Sequence, residues 1–480
     1  MKDDGLVKEI PKKSENFSDW YTAVVLKAGL ADYAPIRGCM VIRPHGYGIW
    51  ENIQQRLDAR FKATGHVNAC FPTMVPESFF RKEARHVEGF APEAWWVTHR
   101  GADKLEERLA LRPTSEAVIN AMFARWVKSW RDLPVLMNQW CNIFRAEKAT
   151  RLFLRTSEFL WQEGHTLHRT EAEAEEETLK ILDLYLDFLK NDLALPVLAG
   201  FKPESEKFAG ADRTYTMEAM MPDGQALQAG TSHNLGQGFA RAFEIKYLDE
   251  NNTEQHPWGT SWGVSTRLIG ALVMTHGDDR GLFLPPKVAP IQAAIVPILF
   301  GRNDTAVLDR CREARAALDG IRVRLDDATN QTAGWKFNQY EMLGVPVRVE
   351  IGPKDVEKQG AVLVPRDGSG KRFIKFAELR AEVESLLDEV QSKMYDSALA
   401  RLRAMMSEAG DFDEFRRKLA ERPGFVKVAW CGTQDCENRI IGETKTTPRV
   451  MVPAEQDKGN APCIACGRET GTRIHYARTY

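Results

Sequence analysis

A double proline, Pro285-Pro286, divides this chain into two stretches with different hydrophobic patterns. Proline fixes φ, lacks an N–H donor and disfavours helix in the residue before it, so neither a helix nor a central strand runs through the pair. Beyond it, strand and helix patterns alternate: strand Gln292–Leu299, helix Thr305–Leu318, strand Ile321–Leu325, helix Gly334–Leu343, strand Val345–Ile351. That alternation predicts a parallel α/β unit. Ala361–Pro365 and Lys371–Phe376, joined by Arg366-Asp-Gly-Ser-Gly370, add a hairpin, and a helical stretch continues to about Glu408.

Ahead of the break the periods are those of helices packed beside hairpins. Ile49, Ile53, Leu57 and Phe61 recur every four residues and put one apolar stripe on a helix from about Gly46 to Thr64. Asn68–Pro76 is an apolar run broken by Pro72, which predicts an edge or interface strand. Arg112-Pro-Thr-Ser-Glu116 supplies hydroxyls and an acid where a helix needs caps, and opens an apolar-periodic segment ending near Trp130. Two strand-like runs, Val135–Phe144 and Glu158–Thr166, flank a loop bearing Lys148, Arg151 and Arg155, which reads as a hairpin with a positive tip. Leu179, Leu182, Leu186, Leu189 and Leu193 follow the acidic run Glu171–Glu177, predicting a long amphipathic helix whose acids favour its positive amino end and face solvent.

At 480 residues the chain is long enough for about three domains of roughly 150 residues each. The longest charge-free apolar run, Val288–Gly301, holds two prolines and falls short of the ~20 residues a membrane-spanning helix needs. The amino terminus is charged and lacks an apolar core like that of a secretion signal, so a cytoplasmic protein with no membrane partner is expected. A net charge of −2 creates no long-range basic field and leaves partners undefined.

Four of the eight cysteines form two close pairs, Cys431-x4-Cys436 and Cys463-x2-Cys466, a spacing that suits four thiolates around tetrahedral zinc. Such a site is closed and therefore structural; the alternative is two disulfides or reduced thiols. Cys39, Cys70, Cys141 and Cys311 lack partners in sequence and read as small buried hydrophobes. His165 and His168, three residues apart, read as structural rather than metal-binding.

Neither a Gly-x-Gly-x-x-Gly turn nor a lysine-bearing phosphate loop occurs, so any phosphate must be held by arginines. In Asn142-Ile-Phe-Arg-Ala-Glu147, Arg145 and Glu147 fall on one face of a strand, where a guanidinium can hold phosphate and the carboxylate can accept an amino group. Period-two counting puts Phe159, Trp161, Glu163 and His165 on one face as well. Gln228-Ala-Gly-Thr-Ser-His233 and Ser261-Trp-Gly-Val-Ser-Thr-Arg267 combine small residues with one arginine, as close backbone approach to a ligand requires.

The ordered set Arg112-Pro-Thr-Ser-Glu116, Phe144-Arg-Ala-Glu147, Phe153 to His165, Lys207-Phe-Ala-Gly-Ala211, Thr231-Ser-His233 and Gly263-Val-Ser-Thr-Arg267 closely resembles the prolyl-tRNA synthetases, of class II of the aminoacyl-tRNA synthetases. The likeness is to the archaeal and eukaryotic-type form and spans essentially the whole chain. It implies an α+β catalytic domain with the antiparallel class II sheet over 1–287, an α/β anticodon-binding domain over 288–395, and a small α+β zinc-binding C-terminal domain over 396–480. The activity implied is activation of L-proline with ATP to prolyl-adenylate and pyrophosphate, then transfer of proline to the 3′-terminal adenosine of proline tRNA. A threonyl or seryl enzyme, or a non-catalytic tRNA-binding paralogue, is the competing reading. Residues 166–262 leave no room for the large editing insertion of many bacterial relatives, so no editing by this chain is expected.

By the same resemblance, Arg145 and Arg267 are catalytic. Proline would be bound by Thr114, Glu116, Arg145, Trp161, Glu163, His165, Phe208, His233 and Ser265. ATP, arriving with Mg2+, would meet Arg145, Glu147, Arg155, Thr156, Phe159, Gln228, Thr231 and Arg267. Zinc would take Cys431, Cys436, Cys463 and Cys466. The anticodon, two adjacent guanines in relatives, would meet Phe337, Glu341, Arg348 and Lys354. The Gly46–Thr64 helix and the Pro72 strand would form the interface of a homodimer, and His475–Tyr480 would be a tail folding back towards the active site.

Overall fold

The computed structural model describes residues 10–84, 94–301, 304–456 and 459–480; the charged stretch 1–9 lies outside them. Strands Val135–Phe144 and Glu158–His168 pair antiparallel along their full lengths, as their alternation demands. Glu158–His168 then pairs with Trp258–Ser265, that strand with Gln225–Gly236, and the last with Arg213–Met220 and Leu198–Phe201 beyond. This antiparallel array is the middle of an eleven-stranded sheet.

Helices Phe17–Lys27, Pro44–Ala63, Glu171–Asn191 and Arg267–His276 cover one face of it. Their apolar stripes, including Trp20, Ile49, Ile53, Phe61, Ile181, Phe188 and Leu268, form one core with Trp262 and Val264 of the sheet. Residues 166–262 are taken up by the Glu171–Asn191 helix and by strands of the sheet, with no inserted domain among the described residues. Leu179 departs from the expected stripe: it is 39% exposed, while Thr178, Ile181, Leu182 and Tyr185 point inward. Of the acidic run, Glu177 is buried rather than solvated, because His66 (3.1 Å) and Lys180 (2.8 Å) pair with it.

Asn68–Pro76 is not one strand. Val67–Asn68 joins the large sheet beside Met137–Asn138, whereas Met74–Pro76 pairs with Leu109–Leu111 in a separate three-stranded sheet. Pro72 sits at the switch, where it offers no donor to either ladder.

The second unit is a five-stranded sheet in the order Val323–Leu325, Ala293–Pro297, Val347–Ile351, Gly360–Pro365, Arg372–Lys375. Its first three strands are parallel and the hairpin antiparallel, matching the alternation read after Pro286. Helix Leu379–Ala404 packs on this sheet and runs unbroken through residue 395 into the last segment. There, strands Met406–Glu408, Phe425–Ala429, Thr447–Val450 and Arg473–Thr479 do not stand apart: Arg473–Thr479 pairs in parallel with the large antiparallel array, Gln225 opposite Arg478 and Ala226 opposite Thr479. Among the described residues no helix is long and apolar enough to cross a membrane.

Candidate active site

The sheet register assembles the site on the face away from the helices. Met137, His165, Ser261, His233 and Thr214 form one transverse row; Gln139, Glu163, Gly263, Thr231 and Thr216 form the next; Cys141, Trp161 and Ser265 begin a third. Side chains two apart share a face, so these rows bring together residues from five strands without any loop having to place them. Above them opens a cavity of about 350 Å³. Its walls include Thr114, Glu116, Arg145, Phe159, Trp161, Glu163, His165, Phe208, Gln228, Thr231, His233, Ser265 and Arg267, every one of them expected from sequence.

At one end lies a buried acid-imidazole cluster. Glu163 accepts from Gln139 Nε2 (2.7 Å), the Ser115 backbone N–H (3.2 Å) and His165 Nε2 (3.0 Å). Thr114 donates its hydroxyl to Glu116. Burial pushes Glu163 upward, but the bond and charge of His165 with the Ser115 and Gln139 donors outweigh it and hold the carboxyl at about 2. Glu116, whose burial is relieved mainly by His165, is pushed up. His165, despite burial, is raised by both acids. The three sets of ligand atoms lie within 4.8 Å of one another, a cradle for a cation. His165 thus has two carboxylate neighbours, Glu163 from its own strand and Glu116 brought in by the fold.

The hydroxyls of 112–116 do not cap the helix Glu116–Trp126: Ser115 makes no cap bond and instead accepts from Gln139 Nε2 at 2.9 Å. Cys141 is half-buried and accepts from Trp161 Nε1 at 3.2 Å; Cys39 is also only half-buried and Cys70 exposed, so Cys311 alone of the four fits the expected buried hydrophobe.

Arg145 stands between the acids and the other end. It follows the Val135–Phe144 strand, donates Nε to Pro113 O (3.2 Å) and lies over the rings of Phe159 (5.5 Å) and Trp161 (5.6 Å). Burial lowers its pKa, and Glu116, Glu147 and Glu163 offset only part of that shift. Arg267, anchored on Leu154 O (3.1 Å), is lowered to about 10 by burial and by Arg145 and Arg155. The acids thus act on Arg145, and Arg145 in turn acts on Arg267. His233 is held neutral, its pKa near 3 through burial and the nearby His165, between the hydroxyls of Thr214 and Thr231 (2.9 Å each) and against Phe208 at 4.7 Å.

Three expected nucleotide residues do not line the cavity. Glu147 and Arg155 pair with each other at 3.0 Å at the basic loop, and Thr156 donates to Glu158 O at 2.8 Å. Conversely, Lys202, Glu206, Thr214 and Ser261 line it and were missed by sequence reading. Period-two counting from His233 and Ser265 would have found Ser261; Lys202 and Glu206 come from a loop with no pattern. Tyr480 docks beside the site, donating its hydroxyl to Asp223 (2.5 Å) with the Arg151 guanidinium 5.4 Å from its ring.

In the second unit Phe337, Glu341 and Arg348 do cluster: the Arg348 guanidinium lies 4.2 Å from the Phe337 ring, 3.0 Å from Glu350 and 3.4 Å from Glu341. Arg348 is buried and doubly paired, not a free donor as expected. Lys354 is exposed at the start of the short Pro353–Glu357 helix and, among the described residues, bonds to none of the three. In the last unit the Sγ atoms of Cys431, Cys436, Cys463 and Cys466 lie within 4.8 Å of one another, with Cys431 3.5 Å from Cys436 and 3.8 Å from Cys466.

An antiparallel sheet backed by helices, with guanidiniums on its open face and a separate α/β unit after it, defines a class II aminoacyl-tRNA synthetase. Family models agree: "tRNA synthetase class II core domain (G, H, P, S and T)" matches residues 95–276, "Anticodon binding domain" 292–386 and "Prolyl-tRNA synthetase, C-terminal" 412–480. The chain is 54% identical to "Proline--tRNA ligase" of Natranaerobius thermophilus over 99% of this chain and 98% of that one. It is 53% identical to that of Rubrobacter xylanophilus over 99% of both, and 51% identical to that of Alkaliphilus oremlandii over 100% and 99%. The chain belongs to the prolyl-tRNA synthetase family, and is a ligase of protein biosynthesis.

Proposed function

We propose that the chain activates L-proline with ATP and transfers it to proline tRNA in the cytoplasm. The observation that carries this reading is that one cavity brings together the buried acids Glu116 and Glu163, the aromatic walls Phe159, Trp161 and Phe208, and the guanidiniums of Arg145 and Arg267. Protonated proline brings one positive charge and two N–H donors to Glu116, Glu163 and Thr114, with His165 in support; Trp161 and Phe208 wall its ring, and His233 and Ser265 close the pocket. Its carboxylate then lies towards Arg145. ATP, delivered with Mg2+ as class II synthetases use it, takes the Arg267 end, with Phe159 on the adenine face and Gln228 and Thr231 towards the ribose or metal side. Binding brings Arg155, Glu147 and Thr156 onto the nucleotide, which requires the Glu147–Arg155 pair to open.

A proline carboxylate oxygen attacks the α-phosphorus, the bond to the β-phosphate oxygen breaks, and pyrophosphate leaves. No side chain forms a covalent bond. The rate comes from alignment and from guanidiniums already aimed at the charge growing on the α-phosphate. The ribose hydroxyl of the terminal adenosine then attacks the activated carbonyl and AMP leaves. ATP–pyrophosphate exchange tests the reading: it should depend on proline and not on threonine or serine, and exchange driven equally by those amino acids would overturn it.

The four cysteines fit zinc, because thiolates at about 2.3 Å from a tetrahedral ion stand about 3.8 Å apart, close to the spacings here. With four thiolates and no open position the ion would cross-link the last unit. A homodimer is supported by exposed Tyr33, Ile36, Val41, Tyr47, Val67 and Met74, all between residues 31 and 76. Sedimentation of the full chain should give twice the mass of the monomer. The Phe337–Arg348–Glu341 cluster is the proposed anticodon contact, through stacking on Phe337 and acceptance by Glu341. Of the expected domain bounds we retain 287/288, whereas 395/396 falls inside helix Leu379–Ala404 and would cut it.

A further inference from the structure

Lys202 and Glu218 form a buried ion pair on the cavity wall that none of the roles above uses. The Lys202 side chain is 2% exposed and its Nζ lies 2.9 Å from Glu218 Oε1. Its backbone N–H donates to Thr214 O (2.8 Å), which fixes the loop end against the sheet. Glu218 is fully buried and stands opposite Gln228 in the ladder. Its carboxylate is already engaged: Arg449 reaches both oxygens through Nη2 (3.0 and 2.9 Å) and Oε2 through Nε (3.2 Å), and Thr216 donates to Oε1 at 2.8 Å.

Two cations therefore share one carboxylate inside the protein, and the fork geometry of Arg449 takes the larger part of it. The Lys202 ammonium keeps only its 2.9 Å contact with an oxygen that Arg449 and Thr216 also use, while lining the cavity together with Gln228 and Arg267. The other acid acting on it is Glu206, on the half-buried loop. One carboxylate compensates two buried cations only in part, and an anion in the cavity would complete the balance. Position says which end it serves: its partner Glu218 stands opposite Gln228 in the ladder, and Gln228 lines the cavity with Lys202 and Arg267.

We propose that Lys202 is a further phosphate-contacting residue for the nucleotide, and that Arg449 of the C-terminal unit is its positioning residue, acting through Glu218. This rests on the reading of the Arg267 end as the nucleotide site. The C-terminal segment would then tune ATP affinity across the shared sheet, without itself touching ATP.

The test is a double-mutant cycle on the full chain. In pyrophosphate exchange at saturating proline, Lys202→Met and Arg449→Gln should each raise KM for ATP about tenfold, the size expected for one charge-assisted hydrogen bond, with KM for proline within about twofold. In the Lys202→Met background, Arg449→Gln should add less than about twofold, since its target is gone. Arg449→Lys keeps the buried charge but loses the fork, and gives a smaller rise in KM for ATP should Arg449→Gln fail to fold. Unchanged KM for ATP in Lys202→Met, or effects of the two changes that multiply in full, would overturn the proposal. Calorimetric binding of ATP–Mg2+ without amino acid separates the two readings: if unmodified protein shows no proline-dependent exchange yet both variants weaken ATP, the proposed function falls and this inference stands.

Discussion

The Trp262 indole occupies the space directly above Gly164: a Cβ at position 164 would stand 2.1 Å from the ring. The two residues are cross-strand partners, and Trp262 both belongs to the core under the sheet and borders the cavity above it. Gly164→Ala should push the indole aside, destabilise the chain by about 1–3 kcal/mol and disturb the Glu163–His165 row on either side. Chemical denaturation with unchanged midpoint and unchanged KM for proline would show that the ring has room to yield.

Glu163 ordinarily titrates near 4.5 and is held at about 2 here, against burial, by His165, Ser115 and Gln139. Because its folded pKa is depressed, its contribution to stability is present above pH 4.5 and is lost as pH falls through 2. His165→Gln removes the strongest of those partners, so the pKa moves back towards 4.5 and at most about 3 kcal/mol of neutral-pH stability disappears. Urea unfolding from pH 3 to 7 should show the acid-side loss beginning at higher pH in the variant; coincident curves would place the control of Glu163 elsewhere.

Arg145→Lys keeps the charge but replaces a planar fork by a point donor. The expected loss is about 2.7–4 kcal/mol of transition-state stabilisation, or 10²–10³ in kcat for pyrophosphate exchange. Near-normal exchange would remove Arg145 from the mechanism.

Cys466→Ser should abolish stoichiometric zinc, measured by mass spectrometry of the ion, and lower the melting temperature of the whole chain rather than of a detached tail, because the last unit shares a sheet with the catalytic residues. A variant that retains zinc and melts normally would return the four thiols to a metal-free role.

Alanine lacks part of the proline ring, and an apolar wall of Trp161 and Phe208 rejects a smaller side chain by only ~1–3 kcal/mol per methylene. Alanine-dependent exchange at reduced kcat/KM is expected, with no hydrolysis of alanyl-tRNA by the purified chain. Rapid hydrolysis would reveal an editing activity.

What the sequence disclosed of the elements followed from periodicity, and the roles of the site residues from the resemblance. Phe159, Trp161, Glu163 and His165 could be placed on one face because alternate residues of a strand share one, and the α/β unit after Pro286 could be read because its segments alternate between two periods. What stayed hidden depends on contacts between distant segments. Nothing near Glu177 announces that His66 buries it, and nothing near Ser115 shows that Gln139, from another strand, takes its hydroxyl away from the helix end. Lys202 was invisible for the same reason, since its partner Glu218 and that partner's clamp Arg449 lie in different strands.

The parallel pairing of Gln225 and Ala226 with Arg478 and Thr479 joins positions about 250 residues apart. During synthesis, the strand that accepts this pairing leaves the ribosome long before its mate exists. The growing protein must therefore carry an incomplete large sheet through the assembly of its other two units. A chain released early, lacking only the segment around residue 478, would hold nearly every substrate ligand and yet have its last seam open.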